Sequence, residues 1–219
     1  MVRKEEVKLD DNTPVEEIDI LENPNTESLL FRYIFLNHWC KGKKVLDAAC
    51  GHGIGTKLLK VLGAKSIVGF DNAEYALEQA EDSAMEGVSF RRVDLTKPTK
   101  KDYYPGQFDT VISVETLEHL PEDKADVYLQ NLRKWCKKDG HILITTPRRP
   151  SDKWEYNGGT HLREYTQKEF GELIAKNFGK LNCGMLGIQE VRVGTQLVSV
   201  LTDDLRDARI MVAMIKNAD

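Results

Sequence analysis

The chain has 219 residues, enough for one large domain with a substantial core. Apolar residues make up 41% and charged residues 30%, which excludes an intrinsically disordered or membrane-embedded chain and fits a soluble globular one. A net charge of −4, from 31 basic against 35 acidic side chains, excludes a global pull on nucleic acid and leaves room only for a local basic patch. The opening stretch MVRKEEVKLDDNTP is too charged for a signal peptide, and no apolar run approaches a bilayer span. Four cysteines, Cys40, Cys50, Cys136 and Cys183, are scattered without a C-x-x-C pair. They read as reduced thiols of a cytoplasmic protein, with neither disulfide nor zinc-ribbon spacing.

In chain order, residues 1–25 are acidic, carry Pro14 and Pro24, and predict a flexible N-terminal arm. Residues 26–219 predict a single domain. From Thr26 to Trp39, Leu29, Leu30, Tyr33, Ile34 and Leu36 fall near helical period behind Thr26 as a cap, giving a helix that lies against a sheet or over a ligand. The stretch KVLDAACGHGIGTKLL, Lys44 to Leu59, reads as strand, tight turn and helix, the helix running from Thr56 to Leu62. Glycine at Gly51 and Gly53 permits positive φ and close approach of a ligand, and the following helix turns its free N–H groups toward the turn. SIVGFDNA is a strand ending at Asp71, Ala73 to Met85 a helix closed by Gly87, and VSFRRVDL a strand ending at Asp94 and Leu95.

A polar loop from Lys97 to Gln107 leads to FDTVISVE, an apolar run of the buried parallel kind that ends at Glu115. Asp123 to Lys138 is an amphipathic helix ended by Lys138-Asp139-Gly140, and HILITTP is a further buried strand. The loop Arg148 to Thr160 is long, basic and aromatic. Thr166 caps a helix to Asn177, with Glu169 completing a capping box. Two strand-like pieces follow, Lys180 to Gly187 and Arg209 to Ile215, with Val191 to Arg209 unassigned. Strands alternating with helices argue for a parallel α/β sheet.

The glycine turn is a nucleotide-type cradle, but G-x-G-x-x-G is not met and no P-loop signature is present. What Asp47 to Gly53 does match is D-x-x-x-G-x-G. With acids ending the second and third strands at Asp71 and Asp94, and with FDTVISVETLEHL and the strand before Pro147, the chain resembles class I S-adenosylmethionine (SAM) dependent methyltransferases over roughly residues 26–190. The resemblance implies a Rossmann-like, seven-stranded, mostly parallel sheet with helices on both faces and an antiparallel C-terminal strand. It implies that Gly51 and Gly53 pass beneath SAM, that Asp47 helps hold its methionine ammonium, and that Asp71, with Asn72 beside it, takes both ribose hydroxyls. Asp94 would accept from the adenine amino group with Leu95 along the ring. Cys50 reads as a small buried residue, His52 as a loop residue, and Gly55 as an allowance for close helix packing.

Glu115, Glu118 and His119 share one face if the chain turns helical after Glu115, and two carboxylates that close repel unless one is protonated or a cation intervenes. ETLEH resembles the E-x-x-E-H of ubiquinone-pathway O-methyltransferases and of enzymes that methylate the 2′-hydroxyl at small-RNA 3′ ends, and HLREYTQKEF resembles the segment that supplies a further histidine in the latter. The resemblance implies a divalent metal, Mg²⁺, Mn²⁺ or a similar ion, on Glu115, Glu118, His119 and His161, with Glu115 and His119 as the catalytic pair.

No D/N-P-P-Y/F/W and no Pro-Cys nucleophile occurs, which favours an oxygen acceptor. VLDAACGHG, SVETLEHL, TTP and HLREYTQKEF together resemble methyltransferases of glycans and small molecules, and Ile188-Gln189 resembles a glutamine segment common in them. The expected partner is therefore a sugar or other small molecule. Arg148, Arg149, Lys153, Trp154 and Tyr156 supply the argument for RNA as the alternative acceptor. A non-catalytic SAM-binding subunit and a dehydrogenase are the remaining readings.

Overall fold

The computed structural model describes residues 24–82, 85–97, 106–150, 159–193 and 196–218. Eight strands form one sheet in the order β3-β2-β1-β4-β5-β8-β6-β7. β1 (Lys44–Ala48) lies between β2 (Ser66–Asp71) and β4 (Phe108–Val114), parallel to both, and β3 (Val88–Arg92) and β5 (Cys136–Pro147) extend the parallel part. The order reverses between β1 and β4, so a crevice opens beyond the carboxyl ends of these two strands, where open α/β sheets take their ligands.

Both faces of the parallel strands are covered. Val45, Ile112, Val114 and Leu143 meet α1 (Pro24–Cys40) and α2 (Ile54–Val61) on one side. Their neighbours in sequence, Leu46, Val111, Ile142 and Ile144, meet α4 (Ala125–Trp135) and α5 (Gln167–Phe178) on the other. This alternation explains why these strands read as unbroken apolar runs. α3 (Glu74–Glu81) joins Cys50 and Phe90 in a smaller cluster.

The antiparallel part is larger than the sequence predicts, and the sheet has eight strands instead of seven. β6 (Cys183–Val193) and β7 (Gln196–Thr202) pair antiparallel, β6 pairs with β8 (Ile210–Lys216), and β8 closes on β5. The added strand is β7, within the unassigned tail. Its Val198 and Val200 are partly exposed, so it lacks the continuous apolar run that marks a central strand.

Several helix boundaries also differ: α2 begins at Ile54, directly after the left-handed Gly53, instead of at Thr56, and α4 begins at Ala125 instead of Asp123. α1 starts at Pro24, ahead of the expected Thr26 cap, since proline with its fixed φ suits a first helical turn. α3 ends at Glu81, and Gly87, at φ 78°, serves the turn into β3 instead. α4 ends at Trp135 because Cys136 is already extended and pairs with Phe108, while Asp139 takes φ 62° within the polar run expected to be helical. The capping box is present as expected: Thr166 Oγ1 accepts from Glu169 N and Glu169 Oε2 from Thr166 N. Of the arm expected over residues 1–25, residues 1–23 lie outside the described residues and the last two belong to α1, and Lys153, Trp154 and Tyr156 fall on 151–158, also outside them. No helix among the described residues is long and apolar enough to cross a membrane.

Candidate functional site

The crevice beyond β1 and β4 is a cavity of about 360 Å³, within the size range of small-molecule sites. Two non-glycine residues, Ala49 at φ 66° and Glu115 at φ 49°, follow β1 and β4 directly in the left-handed region, and both line it. Such backbone costs roughly 1–3 kcal/mol per residue and clusters at functional sites. Gly51, Asp71, Asn72, Leu95, Glu115 and His119 all border this one cavity, together with Tyr128 and Thr116.

Asp71 organises one end. Its Oδ2 accepts from Gly51 N at 2.8 Å and its Oδ1 from Ala73 N at 2.9 Å, tying the glycine turn to the end of β2 and the start of α3. Each oxygen keeps a lone pair, a pattern suited to two neighbouring hydroxyls. Gly51 has φ 50° and open space where a Cβ would stand, so the turn can lie flat beneath a ligand.

Asp47, Gly53 and Asp94 stand behind this lining instead of in it. Asp47 is fully buried, accepting from Thr56 Oγ1 at 2.6 Å and from the Tyr33 hydroxyl. Burial pushes its carboxyl up to about 7 against the pull of those two hydroxyls. Gly53 N-caps α2 at φ 74°, and a Cβ there would strike Phe90 and Ala80. The Asp94 carboxylate takes Lys97 Nζ at 2.8 Å and Thr96 N and Oγ1, hydrogen bonds that hold it down at about 2. Its neighbours Val93, Leu95 and Thr96 face the cavity, and Asn131 Nδ2 pins the loop through Leu95 O and Lys97 O. Cys50 is buried, His52 exposed, and a Cβ on Gly55 would overlap the Tyr33 ring at 2.0 Å.

The other end is dominated by acids and imidazoles. After Glu115 the chain makes a short 3₁₀ turn, Leu117–His119, instead of an α-helix, so Glu115 of E-x-x-E-H parts from Glu118 and His119. Glu115 turns toward Thr145, whose hydroxyl donates to Oε1 at 2.7 Å, and toward Arg32 of α1 at 3.6 Å. Glu118 is fully buried: its Oε2 accepts from Thr146 Oγ1 at 2.9 Å and its Oε1 has no hydrogen-bond partner among the described residues. Burial, reinforced by the Glu115 charge, holds the Glu118 carboxyl well above the usual range, and burial also raises Glu115. The Glu118 carbonyl accepts from Leu162 N and Arg163 N, which brings the His161 segment alongside.

Glu118, His119 and His161 each offer a ligand atom within 4.8 Å of the others; Glu115 is not in this group. The His119 and His161 rings stand edge to face with centroids 4.9 Å apart. His119 Nδ1 lies 3.0 Å from Thr160 O and His161 Nδ1 2.8 Å from Glu164 Oε1. A carbonyl or carboxylate oxygen requires a donor, so each Nδ1 carries a proton, and in the neutral ring this leaves Nε2 as the nitrogen able to take a metal, the arrangement that orients metal-binding imidazoles. His119 Nε2 faces Glu118 Oε1 at 4.0 Å. A lone pair and a carboxylate in that position repel, and a cation relieves them, so the residues fit a divalent ion.

Arg32 and Asn131 carry no motif and were not legible as site residues, and Thr145 and Thr146 stood in the TTP segment without a role assigned to either hydroxyl. The available signal was weak: Arg32 follows Ser28 by one helical turn beside the buried stripe of α1, and Thr145-Thr146 are hydroxyls inside an apolar strand.

A family model described as a methyltransferase domain matches residues 31–179. The chain is similar to the ubiquinone biosynthesis O-methyltransferases of Erwinia tasmaniensis, at 35% identity over 114 residues, and of Idiomarina loihiensis, at 37% over 116. Each match covers 52% of this chain and 46% of the relative, so the chain spans about half the length of these curated relatives. In fold it is similar to a possible histamine N-methyltransferase from Thermotoga maritima, with a TM-score of 0.63 at 14% identity over 91% of this chain and 98% of that one. The methyltransferase domain of bacterial CtHen1-C gives a TM-score of 0.61 at 21% identity over 90% of this chain and 100% of that one.

Proposed function

The chain belongs to the methyltransferase domain family, as a class I SAM-dependent enzyme, and on that premise we propose that it transfers the SAM methyl group to a hydroxyl of a small molecule with neighbouring oxygens, such as a sugar. The observation that carries this reading is the single cavity with Asp71 at one end and Glu115 and His119 at the other. It allows a methyl donor held by its ribose and an acceptor held by oxygen ligands to meet. The names of the curated relatives support oxygen as the acceptor atom.

In this reading Asp71 takes the ribose hydroxyls, the Gly51 turn lies beneath the methionine portion, Leu95 packs along the adenine, and Asp94 fixes the loop that holds Leu95. Asp47 compensates the ammonium from behind the turn, where its raised carboxyl ionises as a cation arrives. Glu118, His119 and His161 would hold a divalent ion, which when bound would polarise the acceptor hydroxyl. Glu115, raised by burial and oriented by Thr145 and Arg32, accepts the hydroxyl proton. The new C–O bond forms as the C–S bond breaks in line, and S-adenosylhomocysteine leaves.

Labelled SAM screened against free sugars, nucleotide sugars, catechols and short RNAs, with and without EDTA, tests this. Turnover on a hydroxyl acceptor, abolished by EDTA and restored by Mn²⁺ or Mg²⁺, is the expected result. Undiminished turnover after chelation removes the metal, and no calorimetric binding of S-adenosylhomocysteine removes the whole reading.

A further inference from the structure

A second concavity of about 800 Å³ lies on the far side of the His161 segment, between the end of β5 and the outer face of α5. Lys168, Gly171, Glu172 and Ala175, spaced as one helical face, form its wall, and Met185 contributes to its floor. The opposite face of α5, with Phe170, Ile174 and Phe178, is buried in the core. Small residues at Gly171 and Ala175 keep the groove deep.

Its rim is cationic, in a chain whose net charge is −4. Arg148, Arg149, Lys168, Lys180 and Arg206 line it, against Glu172 as the one acidic lining residue. Glu169 neutralises Arg149, and Asp204 neutralises Arg206. Lys168 and Lys180 are exposed and make no ion pair among the described residues, so the groove keeps a net positive charge. Arg149 is 8% exposed and its Nε is buried with no hydrogen-bond partner among the described residues, an uncommon state for a guanidinium nitrogen. The capping box uses the Thr166 and Glu169 N–H groups, and those of Gln167 and Lys168 lie between them in the first turn, at the positive end of the α5 dipole.

The groove adjoins the acceptor end of the cavity. Thr146, which bonds Glu118, is followed two residues later by Arg148, about 7 Å of extended chain. Arg149 N bonds Tyr165 O and the Glu118 carbonyl accepts from Leu162 N and Arg163 N, so the segment from His161 to Thr166 ties Arg149 of the groove to the Glu118 turn.

We infer that this groove binds the phosphate oxygens of a phosphorylated small molecule of diphosphate size and so anchors the acceptor beside the glutamate and histidine cluster. Its role as an anchor rests on the methyltransferase reading; its affinity for phosphate does not.

Calorimetric titration of the full chain with inorganic pyrophosphate, UDP-glucose and a 12-nucleotide RNA tests this, with S-adenosylhomocysteine titrated in parallel. Pyrophosphate and UDP-glucose are expected to bind saturably and in competition, and the double variant Lys168→Glu, Lys180→Glu to weaken both at least 10-fold with an unchanged melting temperature. Equal binding by the variant, no saturable pyrophosphate binding, or RNA binding that pyrophosphate does not displace would each overturn the assignment. Pyrophosphate binding without S-adenosylhomocysteine binding supports the groove and removes the activity; the converse removes the groove alone.

Discussion

The two ends of the cavity satisfy their charges in opposite ways. At the Asp71 end the acids are met by the chain itself: Asp71 by two backbone N–H groups, Asp94 by Lys97 and Thr96. At the Glu118 end a fully buried carboxylate keeps an oxygen with no hydrogen-bond partner among the described residues, beside an imidazole lone pair. The first end is complete and, in the function proposed above, takes a neutral diol. The second is completed only by something positive. Preorganisation and unmet charge are thus two ways of preparing a site, and substitutions separate them.

The largest effect is expected at the complete end. Asp71→Ala removes two charge-assisted hydrogen bonds to the ribose, each worth about 1.5–3 kcal/mol, and unties the Gly51 turn. S-adenosylhomocysteine affinity measured by calorimetry should fall ~10²-fold or more; a loss under threefold would show that Asp71 serves only the turn.

At the unmet end, Glu118→Gln should stabilise the metal-free protein at neutral pH and destroy its response to metal. The folded carboxyl is raised above its unfolded value, so the native state binds the extra proton, and stability falls as pH rises from the unfolded value of about 4.3 upward. The melting temperature of the variant should therefore pull ahead of the parent between pH 4 and 8 in EDTA, by ~2–4 °C for each kcal/mol relieved. Mn²⁺ should stabilise the parent alone. Parallel melting curves across that range would sink the idea.

Asp47 sharpens the contrast, because it is an acid met only by neutral hydroxyls, Thr56 and Tyr33, behind the complete end. Its carboxyl stands at about 7 in the free protein, so its ionised form destabilises increasingly as pH climbs from the unfolded value of about 3.9 through 7. An ammonium group nearby should lower it. Binding of S-adenosylhomocysteine at pH 6.5 should release a fraction of a proton, read from calorimetry in buffers of different ionisation enthalpy, and Asp47→Asn should abolish that release. The smallest effect is expected for Lys97→Ala, since the Lys97 ammonium is largely exposed and such pairs contribute about 1 kcal/mol or less.

The same contrast governs what was legible in the sequence. Asp71, the Gly51 turn and the Thr166 capping box are local devices, their partners within about twenty residues, so spacing alone announces them. Arg32 meets Glu115, Thr146 meets Glu118, and Asn131 holds the loop after Asp94 across long stretches of chain that no periodicity links. E-x-x-E-H was read as one helical face, but left-handed backbone at Glu115 and the 3₁₀ turn after it split the motif and leave Glu115 outside the converging group. β7 escaped because an edge strand with one wet face carries only half the apolar signal of a central one.

The Glu118 carbonyl holds Leu162 and Arg163 through main-chain bonds alone. The position of the His161 segment is therefore indifferent to which side chain residue 118 carries. Inheritance or redesign can exchange the side chain at 118, and with it the pocket's preference for a cation, while the His161 segment keeps its main-chain seat.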